Sequence, residues 1–90
     1  MDKQQTLDKI AQGIAATGGG PLAALGVNPV PGEGNPDADI FFCGEAPGVN
    51  ENEQKRPFVG VSGKLLRRVM AENGLAEEDV FITNIVKFRP

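Results

Sequence analysis

The chain has 90 residues, with nine Lys and Arg against twelve Asp and Glu, for a formal net charge of −3. A chain this short forms one small domain that buries only about two-thirds of its unfolded surface, which excludes a multi-domain machine, and its acidic balance argues against broad electrostatic binding of nucleic acid. The hydrophobic share is 40%, and no apolar run approaches the ~18 residues needed to span a bilayer, so no transmembrane helix and no membrane partner are expected. Met1-Asp2-Lys3-Gln4-Gln5 lacks the basic-then-apolar order of a signal peptide, and a cytoplasmic location is expected. The single cysteine, Cys43, excludes an internal disulfide and a cysteine-only metal site, and the absence of His excludes His-assisted triads and His-based zinc sites. Charge is unevenly placed. Residues 31–53 hold Glu33, Asp37, Asp39, Glu45, Glu51 and Glu53 with no base, whereas residues 54–70 hold Lys55, Arg56, Lys64, Arg67 and Arg68 with no acid, a pattern that can polarise one face.

From Gln4 to Ala16, Leu7, Ile10, Ala11 and Ile14 recur at helical spacing and predict a short amphipathic helix, ended by Gly18-Gly19-Gly20-Pro21. Residues 21–37 are rich in Gly and Pro and predict no regular element, with a turn at Asn35-Pro36-Asp37. Asp39 to Gly44 is a short apolar run between turn residues and reads as a buried strand. Glu45 to Pro57 reads as a loop. Ser62 to Asn73 reads as a helix, with Ser62 as its N-cap and Leu65, Leu66, Val69 and Met70 on one face, ended by Asn73-Gly74. After an acidic turn at residues 76–79, Val80 to Val86 reads as a second strand. The order strand, loop, helix, strand is one βαβ unit with a parallel pair, and the fold class is α/β.

The chemistry is expected around Gly44-Glu45-Ala46-Pro47-Gly48, which leaves the first strand at its carboxyl end, where open α/β sheets bind ligands. Small residues there let a ligand approach backbone N–H donors, and Glu45 can hold a water. The alternative is a Gly/Pro turn that merely leaves a strand. Glu51, farther along, can share a pocket with Glu45 for acid and base work, or can be a solvated loop charge like Glu53. Phe58, between Arg56-Pro57 and Val59-Gly60, can stack on a planar base or can plug the core. Asn84, near the end of the second strand, offers the paired donor and acceptor that suit a base edge, or can form a turn. Cys43 reads as an inert core thiol. The glycine spacing fits neither a P-loop nor a dinucleotide fingerprint.

Taken together, Pro31-Gly32-Glu33-Gly34-Asn35-Pro36-Asp37-Ala38-Asp39, Gly44-Glu45-Ala46-Pro47-Gly48, Arg56-Pro57-Phe58-Val59-Gly60, Gly63-Lys64-Leu65-Leu66 and Ile82-Thr83-Asn84-Ile85-Val86-Lys87 with Arg89-Pro90 resemble the N-terminal portion of the family 4 uracil-DNA glycosylases over residues 31–90. The resemblance implies part of a three-layer α/β/α fold with a parallel central sheet, cut after the second strand, and leaves residues 1–30 as a helix and Gly/Pro-rich lead-in. It implies hydrolysis of the bond between a flipped-out uracil and deoxyribose in DNA, the opening step of base excision repair. It places Gly44 and Glu45 against the uracil and the attacking water, Glu51 in their support, Phe58 stacked on the base and Asn84 on its edge.

The chain departs from the family in three respects. Members are longer and carry downstream a His-Pro-Ser motif whose His contacts uracil. With no His in these 90 residues, the chain by itself is expected to excise little or nothing. It would then act at most as a weak DNA- or partner-binding module. Many members hold an iron–sulfur cluster through four cysteines, two ahead of the Gly-Glu-Gly-Asn block and a third between the equivalents of Lys87 and Arg89. Residues 1–30 have no Cys, Phe88 takes the third place and Cys43 matches none, so no cluster is expected. Lys55 stands where the family usually has Gly, and Asn52 where it usually has Asp.

Overall fold

The computed structural model describes residues 2–90. Helix α1 covers Lys3–Ala16. Asp2 caps it by accepting from the Gln5 N–H at 2.8 Å, while the Gln5 side chain accepts from the Asp2 N–H at 3.0 Å, so two of the helix's orphan donors are satisfied reciprocally. The Gly/Pro-rich stretch is more ordered than its composition predicts. A 3₁₀ turn occupies Gly20–Leu25, and a two-residue strand, β1, occupies Glu33–Gly34. Strand β2 is Ile40–Gly44 and strand β3 is Val80–Asn84.

The three strands form one sheet in the order β1-β3-β2. The expected parallel pair is present between β2 and β3, whereas β1 joins the other edge of β3 antiparallel. The fold class is therefore α/β as expected, but the sheet has a third strand and is only partly parallel. The sequence of β1 hides it: two residues, one of them glycine, leave no periodicity to detect. Central β3 is the buried strand, with Val80 fully covered and Ile82 only 2% exposed. Strand β2, expected to be buried, lies at an edge. Its Phe41 is 59% exposed, and Cys43 is exposed rather than a core thiol.

Two further helices follow β2. The segment expected to be a loop contains helix α2, Val49–Gln54, and the longer helix α3 runs Val61–Glu72. The N-cap of α3 is Gly60, not Ser62, and it offers no side-chain acceptor to the first N–H groups of the helix. Helix α3 packs Met70 and Leu66 on the face of the sheet formed by Val80, Ile82 and Phe42. Leu65 and Val69, expected on the same apolar face, are 53% and 43% exposed. On the opposite face Phe41 and Phe81 stack across the parallel pair, with ring centroids 5.6 Å apart and planes inclined by 4°. Leu7, Ile10 and Ile14 of α1 face this side across a cavity of about 260 Å³. Among the described residues, no helix is long and apolar enough to cross a membrane.

Helix α2 ends at Lys55, whose backbone is left-handed, φ 58° and ψ 31°. That conformation costs a residue with a Cβ about 1–2 kcal/mol, which explains why glycine suits the position. Lys55→Gly is expected to raise stability by about 0.5–1 kcal/mol after the added freedom of the unfolded chain is subtracted. Thermal denaturation should show a midpoint a few degrees higher. Asn52 is accommodated by residue 28: its Oδ1 accepts from the Asn28 N–H at 2.7 Å, and its carbonyl accepts from Asn28 Nδ2 at 2.8 Å.

Candidate functional site

Parallel pairing sets the centre of the site. In the β2–β3 register Gly44 is the partner of Asn84, so the last residues of both strands finish side by side at the carboxyl end of the sheet. The Ile85 N–H donates to the Gly44 carbonyl at 3.0 Å and the Val86 N–H to the Glu45 carbonyl at 3.0 Å. These bonds extend the pairing past β3 and hold the start of the Glu45–Gly48 loop. A cavity of about 390 Å³ opens there, lined among others by Gly44, Glu45, Glu51, Phe58, Gly60, Ser62 and Asn84. The volume lies within the roughly 300–1,000 Å³ of small-molecule sites.

All five residues expected at a site line this one cavity, although they come from the end of β2, from α2, from the loop before α3 and from the end of β3. Gly44 forms its floor. A Cβ added there would collide with Asn84 Oδ1 and lie 2.6 Å from Phe58 Cζ, so only glycine leaves the amide and the ring in place. Asn84 is 3% exposed. Its carboxamide makes no hydrogen bond to any described residue, although its backbone carbonyl accepts from Lys87 Nζ. Lys87 Nζ also donates to Thr83 Oγ1 at 2.8 Å, and Thr83 Oγ1 donates to the Pro31 carbonyl at 2.9 Å. The end of β3 is thus tied down from the back while the amide of Asn84 faces the cavity unpaired. Glu45 is exposed at the rim, and Glu53, expected to be a solvated charge, is exposed and off the lining.

Phe58 has two faces in the structure. It packs against the Met70, Val80 and Ile82 core and also walls the cavity. Its backbone is left-handed, φ 53°, a strained state for an aromatic residue that must be held by its surroundings. Part of that support comes from Arg56, which ties the preceding residues to β1. Its Nε donates to Glu33 Oε1 and its Nη2 to Glu33 Oε2, both at 2.7 Å, the bidentate geometry that makes such pairs strong. Hydrogen bonding from Arg56 holds the Glu33 carboxyl below the usual carboxylate range against the opposing effect of burial.

Glu51 is not a free carboxylate. It stands in the first turn of α2, where Oε1 accepts from the Gly48 N–H at 3.0 Å. Oε2 accepts from the N–H groups of Val59 at 2.9 Å and Gly60 at 2.6 Å. Burial pushes its carboxyl upward, but the backbone donors of Gly60, Val59 and Gly48 outweigh it and the net displacement is downward. Glu51 therefore clasps the Gly48 loop to the loop that carries Phe58. The residues that sequence reasoning left without a role are Gly63 and Arg67, both beneath Phe58 on α3. A glycine inside an otherwise helical pattern was the available signal, because such a residue usually answers a packing need.

No group of three or more His, Cys, Asp or Glu side chains among the described residues is arranged to hold a metal ion. Residues 31–90 match the family model of the Uracil DNA glycosylase superfamily. A type-4 uracil-DNA glycosylase of Saccharolobus solfataricus is 64% identical over 64 residues, covering 70% of this chain and 30% of the relative. The type-4 uracil-DNA glycosylase of Sulfurisphaera tokodaii is 49% identical over 86 residues, 94% of this chain and 39% of its own length. That of Thermotoga maritima is 40% identical over 88 residues, 98% of this chain and 46% of its own length. The chain thus spans less than half the length of each of these relatives. The matched region takes in both strands of the parallel pair and every residue placed above around the cavity, and the chain belongs to the uracil DNA glycosylase superfamily.

Proposed function

We propose that the protein carrying this chain hydrolyses the N-glycosidic bond of uracil in DNA, and that the cavity beside Gly44 receives the uracil after it has left the base stack. The observation that carries this reading is the buried carboxamide of Asn84, unpaired and aimed into a cavity whose other wall is the ring of Phe58. Uracil presents an N3–H donor beside its O4 acceptor. A carboxamide meets both at once, Oδ1 accepting and Nδ2 donating, and cytosine presents the reverse order. Stacking on Phe58 and the edge contact to Asn84 reward extrusion of the base.

In the reaction the bond from C1′ to N1 breaks and its electron pair leaves with uracil. Water then adds to C1′, losing a proton, and uracil is finally protonated. Glu45, at the rim, is the residue that holds that water and faces the positive charge developing on the sugar. Donors fixed around the departing uracil lower the barrier by stabilising its negative charge. Glu51 acts as a positioning residue, since its oxygens are engaged by the backbone N–H groups of the two loops. The iron–sulfur cluster of the family does not fit these residues. One cysteine cannot supply a four-thiolate set, and Phe88, at the place of a ligand, is 8% exposed, its ring 3.3 Å from where a Cβ on Gly19 would lie. In this reading residues 1–90 contribute no cluster, and no step passes through one.

The test is a uracil-containing oligonucleotide incubated with the protein as its gene encodes it, assayed for alkali-labile abasic sites. The expected result is excision of uracil but not thymine, and the absence of abasic sites from a folded protein would overturn the reading. Gly44→Ala, whose new methyl group meets both Phe58 and Asn84, is expected to lower excision by about 100-fold or more while costing about 1–3 kcal/mol of stability through overpacking. Single-turnover excision and thermal denaturation measure the two effects.

A further inference from the structure

Phe58 holds its ring over Gly44 from a strained backbone, and the core contacts of the ring do not explain what fixes the peptide groups on either side of it. Those groups are bound from below by α3. Arg67 Nε donates to the Phe58 carbonyl at 3.0 Å and Arg67 Nη2 donates to the Pro57 carbonyl at 3.0 Å. One helical turn earlier, Gly63 is buried directly beneath the same peptide, and a Cβ there would collide with the Phe58 carbonyl carbon and oxygen. Residues 63 and 67 lie on one helix face, so a glycine opens the space and an arginine supplies the donors. The Glu77 carboxylate lies beside Nη1, the nitrogen that takes no part in the two carbonyl bonds, and the Arg67 side chain is only 20% exposed.

We infer that Arg67 is a positioning residue for the aromatic wall of the cavity: by clamping the Pro57 and Phe58 carbonyls it keeps the left-handed turn that points the Phe58 ring at the base. This rests on the reading of the cavity as a uracil pocket. A flat fork with parallel donors suits two successive carbonyls, and a lysine ammonium, a single point of charge, cannot hold both in one geometry. Arg67 touches neither base nor sugar in this account, and its effect passes wholly through Phe58.

The experiment measures binding by the protein as its gene encodes it. One duplex carries 2′-fluoro-2′-deoxyuridine, which resists cleavage, and the same duplex with a tetrahydrofuran abasic analogue serves as reference. Arg67→Met is expected to weaken binding of the uracil duplex about tenfold, the low end of what loss of a stacking face costs, and to leave the abasic duplex within about twofold. Arg67→Lys should fall between Met and wild type. Glu77→Gln, which removes the ion pair but neither carbonyl bond, should leave both duplexes unchanged. In a Phe58→Ala background Arg67→Met should add nothing. Equal weakening of both duplexes, or full additivity with Phe58→Ala, would overturn the inference and assign Arg67 to phosphate contact or to the fold. Should Arg67→Met not fold, the Lys variant carries the same comparison. If Phe58→Ala itself leaves uracil binding intact, it is the pocket reading that fails, and the clamp loses its function with it.

Discussion

Asn84→Ala is expected to lower uracil excision by about 100-fold or more and to leave stability unchanged. The two halves of this result come from one fact. Asn84 is 3% exposed as a residue, and its carboxamide, which no described residue bonds to, meets the cavity. Truncation therefore removes no internal hydrogen bond, and because the amide meets the cavity and not a closed core, it relieves no burial penalty either. A bidentate contact to a base edge is worth about 1–3 kcal/mol on its own, and a site built around such a contact discriminates more sharply than a simple loss of affinity suggests, because each unmatched partner is left unsatisfied. Excision from uracil and thymine oligonucleotides, measured beside thermal denaturation, checks both halves. A residue serving only the fold would show the opposite pattern, a lower melting point with turnover spared. Unchanged rates on both oligonucleotides would remove Asn84 from the site.

The parts of the site that were legible in the sequence are those whose position follows from strand ends. Gly44 closes an apolar run, and Asn84 falls at the end of the next one, so parallel pairing alone brings them together. The pairing of β2 with β3 follows from the same runs. What was not legible depended on contacts between distant segments. Strand β1 is two residues held by the edge of β3, and nothing in Glu33-Gly34 signals this. The burial of β2 was overestimated because an apolar run reports that a strand can be covered, not where it stands in the sheet. Helix α2 has no apolar face to detect, since its six residues are mostly polar. It exists because Gly48 leaves an N–H that Glu51 can reach back to accept. Ser62 has the right chemistry for an N-cap, but the chain enters α3 two residues earlier, at Gly60, whose own N–H is taken by Glu51.

That dependence of two loops on one carboxylate makes Glu51→Gln a strongly destabilising change despite its conserved shape. Three N–H groups converge on two oxygens, Gly48 on Oε1 and Val59 with Gly60 on Oε2. A carboxamide of the same shape keeps one acceptor and turns an NH₂ group toward donors at the other. Whichever way it is placed, at least one backbone N–H is left facing a donor, and the charge that strengthened the remaining bonds is gone. A loss of about 2–4 kcal/mol follows, or roughly 10–20 °C in the melting midpoint for a domain of this size. The pH dependence has a definite sign. The folded Glu51 carboxyl lies below the ordinary value of 4.5, so its contribution is fully present above the unfolded value and drains away as pH falls through the folded one. Wild type and Glu51→Gln should therefore differ most at neutral pH and converge as pH drops through the lowered folded value. Glu33, held low by Arg56, has the same sign and remains in both proteins, so the variant should keep part of the acid sensitivity. Because the clasped loops carry Phe58 on one side and Glu45 on the other, excision should fall with loosening of the cavity well below the melting temperature. Residual activity of the variant should then respond more steeply to temperature than that of the wild type. A Glu51→Gln protein with an unchanged melting point and unchanged excision would show that the clasp contributes nothing to the site.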